Sequence, residues 1–200
     1  MLFQTKDAPL LNRAAQGTYP PGTSVAAFTP SVRPPNQPSA DDLQALYRRL
    51  GFFTAPDLRM PVAIASTSSD LQSLRISPLQ MAIASSVLSN GGIRPAPRIA
   101  LAVKTPVQGW VILAPLGGQS RAMSETEADD AATRLAVQSG TYWQWIGQAR
   151  AGEQIDTWFL AGTLPNWRAT PLALAVLIEG NDLLSAQQIG QQLIQSATRP

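Results

Sequence analysis

The sequence contains no cysteine and no histidine. Without cysteine there is no disulfide, no thiolate nucleophile and no cysteine metal site. Without histidine the commonest general base and metal ligand is gone, and a Ser-His-Asp triad is excluded. Lysine occurs only at Lys6 and Lys104, so a lysine-based mechanism has two candidates. Long apolar runs are also absent. The longest, about 172–178, has the length of a strand and falls far short of the roughly 18 residues a membrane helix needs. The opening stretch MLFQTKDAPL lacks the apolar region of a signal peptide. The expectation is a soluble chain with no export signal and no membrane segment. Cation clusters are missing too: the net charge is +2 and Arg48-Arg49 is the densest pair, which argues against nucleic acid as a partner. The thirteen carboxylates show no paired spacing suited to hydrolysis or a metal. Asp129-Asp130 is read as a solvated helix face. There is no GxGxxG and no P-loop, so no cofactor is expected.

What is present suits one domain with one core: 200 residues, 44% of them hydrophobic. Residues 1–38 are rich in proline and glycine, and PPGT at 20–23 and RPPNQP at 33–38 favour turns and extended backbone. Ser39 then caps a helix, with acids in its first turn, arginine in its last and Gly51 at its end. Residues 52–73 read as loop. Ser77-Pro78 opens a second helix with an apolar stripe of Leu79, Ala82, Ile83 and Val87, stopped by Asn90-Gly91-Gly92. Short strands at 98–103 and 110–113 flank the turn TPVQG. Ser124, in the capping-box sequence SETE, starts a third helix that runs to about Gln138 before Gly140. Strands follow at about 142–149, 157–162 and 172–179. The last of these, LALAVLI, is apolar on both faces and reads as central. A final helix spans about 183–197, with Ala186, Ile189, Gly190, Leu193 and Ala197 on one side. Tryptophans 110, 143, 145 and 158 fall mostly in these strands. Core packing is the simplest reading for them, with a sugar-stacking surface around Trp143 and Trp145 as the other. The order strand, strand, strand, helix with short links implies an α+β fold, an antiparallel sheet flanked by helices.

Four stretches carry a family resemblance. LLNRAAQGTYPPGT at 10–23 resembles the approach to the active-site helix of penicillin-binding protein transpeptidase domains, part of the penicillin-recognising, β-lactamase-like superfamily. ISPLQMAIASSVLSNGG at 76–92, TWFLAGTLP at 157–165 and LALAVLIEG at 172–180 resemble its later elements, in the same order. The residues NRA, PLQMA and WF are read as packing residues that argue for the fold and say little about chemistry. The resemblance covers most of the chain and is weakest at 30–75. It implies a reduced transpeptidase-like fold, divided into a degenerate approach and linker at 1–38, a helical part at 39–97, a hairpin region at 98–123, and a helix, sheet and C-terminal helix at 124–200.

The resemblance also implies what the chemistry would require. Family members cleave a D-alanyl-D-alanine bond through an acyl-enzyme. They use the serine of Ser-x-x-Lys, whose lysine one turn later takes the serine proton. Ser-x-Asn relays protons, and Lys-Thr-Gly on a strand binds the substrate carboxylate beside the oxyanion hole. Here the first motif aligns with Thr23-Ser24-Val25-Ala26. Thr23 keeps a hydroxyl, but Ala26 cannot accept a proton, and a frame shifted to Ser24 meets Ala27. The second motif has only an echo at Ser39-Ala40-Asp41, better read as a helix cap. The third becomes Gly147-Gln148-Ala149-Arg150-Ala151, with Gln148 for the lysine, Ala149 for the threonine and Arg150 for the glycine. Arg150 has two readings, a substrate carboxylate binder or a solvated strand-edge cation. Lys104-Thr105-Pro106 lies in the wrong place in the order.

The expected function is therefore a transpeptidase-like domain without catalysis that binds or scaffolds peptidoglycan-synthesis components outside the bacterial membrane. The alternative is a divergent D,D-transpeptidase or carboxypeptidase working through Thr23. Segment 20–30 is expected near Gln148 as a turn or loop, not a long helix. The family domain carries more chain before NRA and a membrane anchor upstream, so this chain is either a piece of a longer product or a shrunken relative. A three-stranded core sheet would expose an edge, which residues 1–5 or a partner chain would cover.

Overall fold

The computed structural model describes residues 15–21, 23–24, 39–63, 74–138, 140–151 and 153–199. Helix α1, Ala40–Leu50, is closed at both ends by its own sequence. The Ser39 hydroxyl accepts from the Asp42 N–H at 3.1 Å, and the Asp42 carboxylate accepts from the Ser39 N–H at 3.2 Å. Gly51 ends the helix at φ 88°, a left-handed conformation that glycine adopts without a Cβ penalty. Helix α2, Pro78–Ser89, repeats the device with Ser77 and Gln80. Its apolar stripe is not what the sequence suggests. No residue of α2 is exposed, and of Leu79, Ala82, Ile83 and Val87 only Val87 is fully buried. A helix covered on every side has no single apolar face to read.

Helix α3, Glu125–Arg134, opens with the Ser124–Glu127 capping box. It stops four residues short of the expected Gln138. The Leu135 carbonyl accepts from the Gln144 N–H at 3.1 Å, and Ala136 forms an antiparallel bridge with Trp143. Pairing with the sheet thus takes the backbone groups that further helix would have used.

The main sheet is antiparallel in the order β1-β6-β7-β8, where β1 is Thr23–Ser24, β6 Tyr142–Ala151, β7 Gln154–Thr163 and β8 Ala173–Glu179. Among the described residues β8 stands at the edge, not in the centre. Its apolar character on both faces has another cause. Ala175 and Leu177 join one core cluster with Met81, Ala84 and Trp158. Leu174, Val176 and Ile178 join a second with Phe159, Ala186 and Ile194. The strand is sandwiched between α2 and the terminal helix α4, Leu183–Ala197, so both faces are half-buried without a second strand neighbour.

On α4 the buried line is Ala186, Gly190 and Ile194, while Ile189 and Leu193 are 44% and 49% exposed and Ala197 lies on the surface. Gly190 fixes this rotation. A Cβ there would stand 2.0 Å from the Phe159 ring, so the helix comes closer to the sheet than a larger residue permits.

A hairpin of β3, Ala102–Thr105, and β4, Gly109–Ile112, projects from the body. Its first strand starts later than the expected residue 98. With the turn at 106–108, the last arm residue to pair is Leu113, whose N–H donates to Leu101 at 2.9 Å, leaving 98–100 without partners in the ladder. The base is closed by two short strands, β2 (Ile93–Arg94) and β5 (Ser120–Arg121). Among the described residues, no helix is long and apolar enough to cross a membrane.

Candidate functional site

The segment TYPP crosses the sheet and is tied to it at several points. Tyr19 exchanges backbone hydrogen bonds with Ile76 at 2.7 and 2.8 Å. Its ring meets Trp158 edge-on, 6.3 Å between centroids, and its hydroxyl donates to Glu179 at 2.7 Å. Trp158 is fully buried, and its indole N–H donates to the Pro20 carbonyl at 2.9 Å. A buried indole without that partner would leave a donor stranded. The path that follows brings Thr23 opposite Gln148 and Ser24 opposite Gly147 as antiparallel partners. Two positions matched to separate family motifs are therefore backbone neighbours. Ala26 lies outside the described residues, as does the rest of segment 25–30.

The three residues matched to Lys-Thr-Gly have separate fates. Side chains alternate along β6, so Gln148 and Ala149 face opposite sides. Gln148 donates to the Asn181 side chain and to the Thr157 hydroxyl at 3.5 Å. Thr157 in turn donates to the Gly180 carbonyl at 2.6 Å and accepts from the Asp182 N–H at 3.3 Å. Asp182 caps α4, and hydrogen bonds from the Ser185 side chain and, second, the Ser185 amide hold its carboxyl below the ordinary range. Gln148 thus helps organise the turn that launches α4.

Ala149 goes the other way, into the core. It is 7% exposed and packs with Phe52, Leu74, Ile76, Met81 and Trp158. Apolar side chains fill that side of the strand beside the Thr23 pairing. Arg150 is exposed and has no ion pair among the described residues. Lys104 is on the projecting hairpin, and Lys6 lies outside the described residues.

The remaining motif residues are structural. The Ser39 hydroxyl is committed to the α1 cap. Gln80 of PLQMA accepts from the Ser77 N–H at 3.0 Å and donates to the Thr54 carbonyl at 3.2 Å, joining α2 to the turn after α1. Trp143 is buried, with its indole N–H on Ser89 at 2.9 Å, and Trp145 is half-buried in packing. Trp110 departs from the core reading, at 67% exposed. The polar cluster of Thr157, Gly180 and Asn181 escaped the sequence reading, because no motif spacing links β7 to the turn before α4.

This chain has the fold of penicillin-binding protein transpeptidase domains. It superposes on penicillin-binding protein A from M. tuberculosis, solved as an imipenem acyl-enzyme complex, with a TM-score of 0.72 and 20% identity. That match covers 98% of this chain and 63% of the other. The D,D-transpeptidase domain of a peptidoglycan glycosyltransferase from Eggerthella lenta matches with a TM-score of 0.66 and 18% identity, over 79% of this chain and 47% of that one. Penicillin-binding protein 3 from M. tuberculosis matches at 0.57 and 16%. The chain thus spans less than two thirds of the length of these relatives. No protein-family model and no curated protein matches the sequence.

Proposed function

We propose that this is a transpeptidase-like domain without acyl-transfer chemistry, which binds or scaffolds components of peptidoglycan synthesis on the outer side of a bacterial membrane. The observation that carries the reading is the fate of the Lys-Thr-Gly positions. Gln148 is spent on the α4 turn and Ala149 is buried in the core. Residue 148 itself carries no charge, and the nearest cation on that face of the strand, Arg150, stands two residues further along, at the position matched to the glycine. Proton transfer from a hydroxyl needs a base within hydrogen-bond reach, and a substrate carboxylate needs a cation or convergent donors. Alanine at residue 26 supplies neither. Penicillin-binding protein A forms acyl-enzymes with imipenem and with penicillin G; this chain keeps its fold and lacks the motif residues such chemistry uses.

One observation favours a second reading, a divergent peptidase: Thr23 retains a hydroxyl and stands opposite Gln148 on the sheet. The two readings separate on D-alanine release from a pentapeptide ending in D-Ala-D-Ala. The non-catalytic reading expects no release above that of Thr23→Ala. Release by the native chain that disappears in Thr23→Ala would overturn it.

A further inference from the structure

The hairpin concentrates the chain's exposed apolar surface. Of the ten large hydrophobic side chains exposed among the described residues, seven lie between residues 99 and 116. Val107 at the tip is 92% exposed, Ile112 82%, and Leu101 and Trp110 67% each. Scattered exposed apolar residues are ordinary, but a contiguous set marks an interaction surface. The register sorts them. Lys104 pairs with Trp110 and Ala102 with Ile112, so these four share one face of the ribbon. The other face, with Val103 and Leu113, borders a groove of about 290 Å³ whose rim includes Arg59 and Arg98.

Charge decides what fits this surface. Residues 71–124 carry five of the chain's fifteen cations and none of its thirteen carboxylates, so the remainder of the chain is net negative. Arg98, Lys104 and Arg121 are exposed around the hairpin, as is Arg59 beside it, and Asp57 is the carboxylate at the groove. Arg98 and Arg59 already donate to the Leu113 and Ala114 carbonyls, which holds their guanidinium groups at the hairpin's base. A second copy meeting this face about a two-fold axis would set Lys104 and Arg98 against like charges. An anionic bilayer surface would instead accept both parts. The apolar tip would enter the acyl boundary, and the cations would meet phosphates. Trp110 suits the headgroup level, where its ring and indole N–H are both accommodated. Lys104 beside it can extend its ammonium back to the phosphates. Both outer edges of the ribbon lack strand partners among the described residues, so insertion would stop in the hydrated headgroup layer, where water satisfies the backbone.

We infer that the β3–β4 hairpin is a docking element for an anionic membrane surface, formed by Val107 at its tip with Trp110, Ile112 and Lys104 on one face of the ribbon. The test is sedimentation of the full chain with vesicles of phosphatidylglycerol and phosphatidylcholine, against vesicles of phosphatidylcholine alone. The mixed vesicles should bind the chain, and raised salt should weaken that binding. The double variant Val107→Asp, Ile112→Asp should lower it at least tenfold, on the order of the loss from placing carboxylates in an apolar boundary. Lys104→Glu should lower it by roughly fivefold or more. Both substituted residues are open to solvent, so circular dichroism should show an unchanged fold. Leu193→Asp, on the exposed side of α4, should bind like the native chain. Binding that ignores the Val107 and Ile112 substitutions would overturn the inference. So would the absence of vesicle binding, including the case in which the same substitutions dissolve a dimer.

Discussion

Ala149 and Arg150 are adjacent on one strand and occupy opposite environments. Replacing Ala149 by threonine, the family's residue there, would place a hydroxyl and extra volume among Phe52, Trp158 and Met81. We expect Ala149→Thr to destabilise the fold by about 1–3 kcal/mol in a denaturant titration. Arg150→Ala, on the exposed side, should stay within about 0.5 kcal/mol. The reverse pattern would mean that the strand faces its two sides differently from this account. Ser85 offers a converse case. Its hydroxyl is buried in α2 with no hydrogen-bond partner among the described residues. Removing an unsatisfied group removes its desolvation penalty, so Ser85→Ala should leave stability unchanged or raise it by up to about 1 kcal/mol. A clear loss would reveal a partner for that oxygen.

Elements divide into those whose signals are local and those whose signals are not. Each of the first three helices opens with a serine whose side chain and third residue complete a capping box, and these starts are legible in the sequence. Their carboxylates carry a pH signature. Hydrogen bonds from Ser39 hold Asp42 below its ordinary value, and the Ser124 amide does the same for Glu127. Because the folded values lie below the unfolded ones, these caps contribute fully above about pH 5 and lose their effect as pH falls through the folded values. The thermal midpoint should therefore begin to drop below about pH 5, and Glu127→Gln should make that drop shallower. A midpoint with the same acid slope in the variant would count against the assignment.

Other boundaries were set by partners the sequence cannot display. Helix α3 ends early because the Leu135 carbonyl and the Val137 N–H just past it bond to β6, and β8 is apolar on both faces because helices cover each side. Apolar periodicity on α4 favours Ile189 and Leu193, whereas the buried face is set by the smallness of Gly190. Gly190→Ala, which would raise helix propensity by about 1 kcal/mol, should instead destabilise by about 1–3 kcal/mol through its clash with Phe159. A stabilised variant would show that α4 can lift off the sheet without loss.

For the whole molecule, the fold could be read from four short stretches because they are packing devices: Trp158 on Pro20, Gln80 bridging to Thr54, Tyr19 on Ile76. The candidate site was legible only as substitutions at aligned positions. That Thr23 and Gln148 are strand partners, and that Gln148 turns toward Asn181, depends on register and on a turn far away in sequence. The proposed function is that of a transpeptidase-like fold without acyl-transfer chemistry. It is tested most directly by incubating the pure full chain with a fluorescent penicillin and measuring its intact mass. The account predicts an unchanged mass and no bound fluorescence after denaturation. A stoichiometric adduct located on Thr23 or Ser24 would contradict it.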